Sequence, residues 1–296
     1  MDTGRRLDAA RTALVTDSSA DVPPERRPSN WRVVPIPVIF GSESFLDGVD
    51  IDAAGFYERL ARSDRLPTTS QPSVAAIAGV LRDALERYET AVVLPLSGHM
   101  SGTLEAARAA AREVGEERVL VVESSSVCVA LGLLALRLQD RLERGCTAGE
   151  VVAAMESLRA QHRCVFSLAT LEYLQRGGRI GRAQAVVGSL LHVRPILQIE
   201  GGEVAPAMRV RGAHRVLPAI EEFLERHSDP GRPLRVAYGH ASRPEAIPPL
   251  VEMVERCRPR AINELIGSVG PTVGTHAGPG AFVVAFVHDP LDGDGG

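Results

Sequence analysis

Two short segments of this 296-residue chain, "TTSQPS" (Thr68–Ser73) and "SGHMSGT" (Ser97–Thr103), crowd hydroxyls in front of stretches that read as helices. A helix N-terminus has unpaired N–H groups and the positive end of the macrodipole, so it suits an anion. Hydroxyls add donors without adding charge. One such loop alone is explained by ordinary N-capping. Two on the same edge of one sheet, with "TDSSAD" (Thr16–Asp21) as a third, point to a pocket for a small anion. His276, in the loop "GTHAGPGAF" (Gly274–Phe282), could donate to an oxyanion or be satisfied by backbone carbonyls. The glycines there argue against helix or strand. "QRGGRIGR" (Gln175–Arg182) offers Arg176, Arg179 and Arg182, each able to reach a carboxylate or phosphate, or to lie solvated on a turn. Asp17 and Asp21 flank Ser18-Ser19 and could hold a cation, although turn-forming Asp is the plainer reading.

What is missing narrows the chemistry. The 33 basic residues are all arginine. Without lysine there is no P-loop lysine, Schiff base or Ser-x-x-Lys nucleophile, and cationic recognition falls to planar guanidinium groups. "GHMSG" is not a nucleophile elbow, because Ser101 stands one place too late. The eight histidines are scattered rather than spaced as a zinc set, and "GGRIGR" is not G-x-G-x-x-G. No acid–base carboxylate pair stands out. The residues describe a pocket of neutral donors for one anionic head, with no activated nucleophile, metal or cofactor.

The elements that must position these residues follow from periodicity. The first half alternates apolar runs with helical patterns: "TALVTD", "TAVVL" and "RVLVV" as strands, Asp52–Ser63, "SVAAIAGVLRDALERY", Ser101–Val114 and Thr147–Arg163 as helices. Asp52 and Thr147 cap two of them, and Glu150 completes a capping box. Trp31–Gly41 reads as extended, its two prolines disfavouring a central antiparallel strand. Such alternation argues for a parallel sheet covered on both faces, with ligands at the strand C-termini. The second half reads as a strand, a short helix, a Gly/Arg turn, a helix, a hairpin around Gly201-Gly202, and then further helices and strands. The expected fold is α/β in two domains, an N-terminal parallel-sheet domain (1–163) and a smaller α+β domain (164–296), with a disordered tail over 289–296.

Bulk properties fit an ordinary globular protein: 45% hydrophobic, 24% charged, formal net charge −4. That balance does not suggest nucleic acid or an anionic membrane. No apolar run is long enough to span a bilayer, and "MDTGRRLDAARTA" lacks a signal-peptide core, so the expected location is cytoplasmic. Cys128, Cys146, Cys164 and Cys257 form no C-x-x-C pair and read as buried free thiols. Apolar segments such as "VAAIAGVL", "VCVALGLLAL" and "AVVGSLL" are chiefly core, and leave room for a long apolar ligand beside the head-group pocket.

"VTDSSADVP", "TSQPS", the Ser-Gly-Thr of "SGHMSGT", "ESSSV", "LEYLQRGGRIGRAQAVVGSLLHVRPIL" and "HAGPGA" occur in that order across almost the whole chain. Together they resemble the DegV family, the fatty-acid-binding subunits of bacterial fatty-acid kinase. The resemblance implies a long-chain fatty acid buried between the two domains, and a separate kinase that phosphorylates its carboxylate. It implies no catalysis by the chain itself. By motif, Thr69, Ser101 and His276 would hold the carboxylate, with Ser70, Gly102, Thr103 and Arg179 around them or facing the kinase. Gly98 and Met100 stand where the family often has Ser and Leu. Two other readings stay open: a serine esterase or acyltransferase using Ser101 and His276, and a binding module for another small anion.

Overall fold

The computed structural model describes residues 1–189 and 193–289. The N-terminal elements run β1 (Arg6–Leu7), β2 (Thr12–Asp17), β3 (Trp31–Val34), β4 (Pro37–Phe40), β5 (Glu43–Leu46), α1 (Ala53–Arg62), β6 (Thr68–Thr69), α2 (Val74–Arg87), β7 (Thr90–Leu94), α3 (Thr103–Val114), β8 (Val119–Val121), α4 (Cys128–Arg144), β9 (Cys146–Thr147) and α5 (Ala148–Gln161). Then follow β10 (Arg163–Ser167), α6 (Glu172–Arg176), β11 (Val193–Glu200), β12 (Glu203–Arg211), α7 (Val216–His227), β13 (Leu234–His240), α8 (Ile247–Cys257), β14 (Ala261–Ser268), α9 (Pro271–Ala277) and β15 (Phe282–Val287).

A four-stranded parallel sheet, order β3-β2-β7-β8, forms from residues 12–121 as the alternation predicts. Every residue of β2 and β7 is buried, as continuous apolar strands covered on both faces must be. On one face Ala13, Val15, Ala91 and Val93 pack with Ile77, Leu81, Ala107 and Ala110 of α2 and α3. On the other lies α4, buried on nearly every side. The second sheet, order β12-β11-β10-β15-β13-β14, is antiparallel except between β13 and β14, and α4 packs on β13, β14 and β15 as well. One helix is thus shared by both sheets.

Period-two alternation gives the six-stranded sheet two different faces. Val165, Ile196, Val236, Tyr238, Val284 and Phe286 form a core with α7 and α8. Cys164, Phe166 and Val283 belong to the other face, toward the parallel sheet.

Local signals placed several elements correctly. Asp52 accepts from Gly55 N at 2.8 Å, and Thr147 with Glu150 makes both halves of the capping box. Four expectations need correction. Trp31–Gly41 breaks at Pro35–Ile36 into β3, on the parallel sheet, and β4, the middle strand of an antiparallel β5-β4-β6 sheet. Pro37 is accommodated there because it opens the strand. "TTSQPS" therefore starts within that small sheet, as β6, so it does not share an edge with "SGHMSGT". The expected helix after the Gly/Arg turn is a 3₁₀ segment, Gly181–Ser189, which passes into residues outside the described range. The tail expected to be disordered begins with Asp289, which is buried and paired with Arg141; residues 290–296 lie outside the described range.

Among the described residues, no helix is long and apolar enough to cross a membrane. Cys128, Cys146 and Cys164 are buried and Cys257 half-buried, all as free thiols.

Candidate functional site

A cavity lies between the two sheets, at the C-terminal ends of the parallel strands, where open α/β sheets place their ligands. Its atom-free space, mouth included, is about 920 Å³. Ile36, Leu96, Val127 and Cys128 line it from the parallel-sheet side. Cys164, Phe166, Leu168, Ile199, Val204 and Val283 line it from the other. Thr69, Ser70, Gln71, Ser101, Arg179 and His276 gather at one end, while Thr272, the remaining hydroxyl of the lining, is bonded to Asp47.

His276 is not on a loop. It occupies the last turn of α9, a short helix with Pro271 in its first turn and Gly278 (φ +71°) ending it. The glycines that argued against a helix serve close packing: a Cβ on Gly274 would lie 2.7 Å from Tyr57 Oη and 2.8 Å from Phe56. His276 Nε2 lies 2.8 Å from Thr69 Oγ1, joining residues 207 apart in sequence. Its Nδ1 is buried with no hydrogen-bond partner and faces Gly177, where a Cβ would lie only 2.2 Å away.

These contacts assign the ring's hydrogen. A neutral imidazole carries one N–H, and a buried N–H without an acceptor is rarer than an unpaired acceptor. Nε2 therefore carries the hydrogen and donates to Thr69 Oγ1, leaving the Thr69 hydroxyl hydrogen free to point into the cavity. Burial, and then the charge of Arg179, push the His276 pKa down to about 4, so the ring is neutral at pH 7. His162, likewise buried, is also held at about 4. Both folded values lie below the unfolded 6.5, so the unfolded chain takes up these protons first as pH falls. Their contribution to stability is complete above pH 6.5 and is lost progressively toward pH 4. His276→Gln should flatten part of that slope when unfolding is measured at pH 7 and pH 5; an unchanged slope would contradict a neutral buried ring.

Ser101 ends the Ser97–Ser101 turn. Its Oγ lies 2.8 Å from Thr103 Oγ1 and accepts from Thr103 N at 3.3 Å, just ahead of the Gly102 N-cap of α3. Thr103 itself is buried behind Ser101, and Gly102 lies under Gln71, whose Oε1 would sit 1.8 Å from a Cβ there. Gly102 and Thr103 thus shape the site without lining the cavity, whereas the exposed Ser70 lines its mouth. Of the three arginines, Arg176 pairs with Glu172, and Arg182 with Glu200 and Glu203, in exposed positions. Only Arg179 reaches the cavity, its Nε donating to Met100 O at 3.1 Å and Nη1 to Gly177 O at 2.8 Å. The Ser101 turn is also tied from the other side: Ser97 Oγ donates to Gly202 O at 2.7 Å, in the Gly201-Gly202 hairpin turn.

"TDSSAD" contributes carboxyls to the framework rather than hydroxyls to the cavity. Asp17 accepts from Ser19 N, Ser19 Oγ and Leu96 N, and burial raises it to about 6. Asp21 is held well above the usual carboxylate range by burial and by Asp47. Among the described residues, the candidate metal-ligand grouping is Glu221, Glu225 and Cys257, away from this end of the chain's chemistry; Asp17 and Asp21 are not part of it. Gln71 and Gly177 were missed as site residues by sequence reasoning. Each stood inside a quoted motif, but only the fold shows what they touch.

A DegV family profile matches residues 11–289. The chain belongs to the DegV family. A DegV family protein from Thermus thermophilus, solved with attention to its fatty acid binding, superimposes with a TM-score of 0.89 at 34% identity, covering 94% of this chain and 99% of that one. DegV of Bacillus subtilis, described as a fatty acid binding protein, gives 0.85 at 30%, covering 94% and 99%. A fatty acid-binding protein of Thermotoga maritima is 30% identical over 281 residues, 91% of this chain and 95% of that protein. The mixed fold of this DegV protein, a parallel sheet beside a largely antiparallel one, is that of these relatives.

Proposed function

We propose that this DegV protein binds a long-chain fatty acid, with the tail between the sheets and the carboxylate among Thr69, Ser101 and His276. The observation that carries the reading is the cavity's division: apolar along its length, with neutral donors and one arginine at a single end. The fatty-acid binding described for relatives at 30–34% identity supports it. At ~0.8 kcal/mol per buried methylene, about fifteen methylenes give on the order of 12 kcal/mol before the costs of association. The tail carries affinity and the head contacts fix orientation.

The head lies at the accessible end, beside exposed Ser70 and Gln71, which suits presentation of the carboxylate to a separate kinase that forms the acyl phosphate. A cytoplasmic carrier without catalysis of its own is the corresponding role. The esterase alternative needs Ser101 bonded to a histidine that a carboxylate orients. Here His276 bonds Thr69, Ser101 bonds Thr103, and His276 Nδ1 has no partner.

Mass spectrometry of the purified protein, native and then denatured, tests the reading. The expected result is a stoichiometric mass in the fatty-acid range, released on denaturation and diminished in Ser101→Ala and His276→Ala. A clean mass, with no uptake of added oleate or palmitate, would overturn it. Labelling of Ser101 by a serine-directed phosphonate would favour the esterase instead.

A further inference from the structure

His276 reaches the cavity from α9, and a seven-residue helix does not hold its own position. Two carboxyls from the opposite end of the chain grip its start. Asp47 Oδ2 accepts from Thr272 N at 3.1 Å and from Thr272 Oγ1 at 2.5 Å. Asp21 Oδ1 accepts from Gly270 N at 3.0 Å. Asp47 and Thr272 are 5% and 6% exposed, so the contact is buried. Asp47 is itself anchored, its N–H donating to Ile36 O at 3.1 Å beside the Asp47–Ile51 bridge. Gly270 leaves no slack, since a Cβ there would lie 2.7 Å from Asp21 Oδ1. Phe56 and Tyr57 close on α9 at Gly274, and Tyr57 Oη donates to Val269 O at 3.0 Å just ahead of the helix. The carboxyl bonds at Gly270 and Thr272 add directional ties at its first turn, which apolar contact does not supply. A residue on a helix turns through about 100° per step, so a small rotation at Thr272 swings the ring one turn later.

We infer that Asp47, backed by Asp21, is a positioning residue of the head-group site: it sets the register of α9 and so places His276 Nε2 on Thr69. The inference rests on the fatty-acid reading of the cavity.

The test is a double-mutant cycle on the full chain with [1-13C]oleate as the probe, joined to 15N spectra of the His276 ring in ligand-free protein. Asp47→Ala should weaken oleate binding by about tenfold and move the carboxyl 13C signal. In a His276→Ala background the same change should cost less than about twofold, because residues acting through one contact are not additive. Asp47→Asn keeps an acceptor oxygen for Thr272 and should stay within about threefold of the parent. The ligand-free Asp47→Ala protein should show a displaced His276 Nε2 signal. Multiplicative effects of Asp47→Ala and His276→Ala, or an unmoved ring signal, would overturn the inference. Should the parent take up no oleate, the fatty-acid reading fails, and the ligand-free ring signal still decides the positioning role. If Asp47→Ala does not fold, Thr272→Val, which removes one of the two donors, carries the same comparison.

Discussion

Gly177→Ala is expected to weaken the proposed fatty-acid binding by roughly 10- to 100-fold and to cost about 1–3 kcal/mol of stability, because a buried ring is displaced. The backbone at Gly177 (φ −75°, ψ −7°) is open to any residue, so alanine brings no conformational strain. The cost falls on the histidine. The new methyl would sit 2.2 Å from His276 Nδ1 and 3.0 Å from Cε1, far inside contact distance, and the ring must leave Thr69. The neighbouring glycine is the control. Gly178 has φ +68° and nothing within 4 Å of its added Cβ. Gly178→Ala should therefore cost about 1 kcal/mol of stability through its backbone and leave affinity alone. Titration with oleate and a thermal melt on both variants separate the two effects. Wild-type affinity in Gly177→Ala would show that His276 does not hold the head group from its observed position.

Asp289→Ala should cost about 3–5 kcal/mol, the penalty for stranding a buried charge. Arg141 donates to Asp289 through both terminal nitrogens, at 2.6 and 3.1 Å, and the Asp289 side chain is fully buried. One turn earlier on α4, Arg137 pairs with Glu264 of β14 and with Asp140 at 2.8 Å. These charges tie α4 to the six-stranded sheet, while its apolar side packs beside β2. Alanine at 289 leaves the buried Arg141 guanidinium its bond to the Arg137 carbonyl at 2.9 Å but removes its carboxylate. Urea denaturation at pH 7 measures the change, and a loss below about 1 kcal/mol would mean that the buried pair is replaceable by water.

The parts of this protein that were legible in its sequence are those specified locally. Asp52, Thr147 and Glu150 announce helix starts within three residues, and the apolar runs of β2 and β7 announce buried parallel strands. Thr69, Ser101, Arg179 and His276 were legible as donors, and the structure brings all four to one end of one cavity. What was not legible depends on partners far away. α9 looked like a loop because Gly274 and Gly278 lower its intrinsic propensity, and Asp21 and Asp47, more than 220 residues earlier, hold it instead. The assignment of Pro35–Ile36 to a break between sheets was hidden because residues on both sides are equally suited to extended structure. Gly177 carried no signal of its own, since close approach to His276 is a property of the fold and not of the glycine's neighbours.

The alternation along β10 and β15 separates two sets of neighbours. Cys164, Phe166 and Val283 line the cavity, whereas Val165, Val284 and Phe286 pack in the core with α7 and α8; Phe282, which opens β15, meets both. A substitution that lengthens or narrows the cavity falls on alternate residues and leaves the facing helices their original neighbours. The space between the sheets can therefore be reshaped one residue apart from the packing that holds the strands in place.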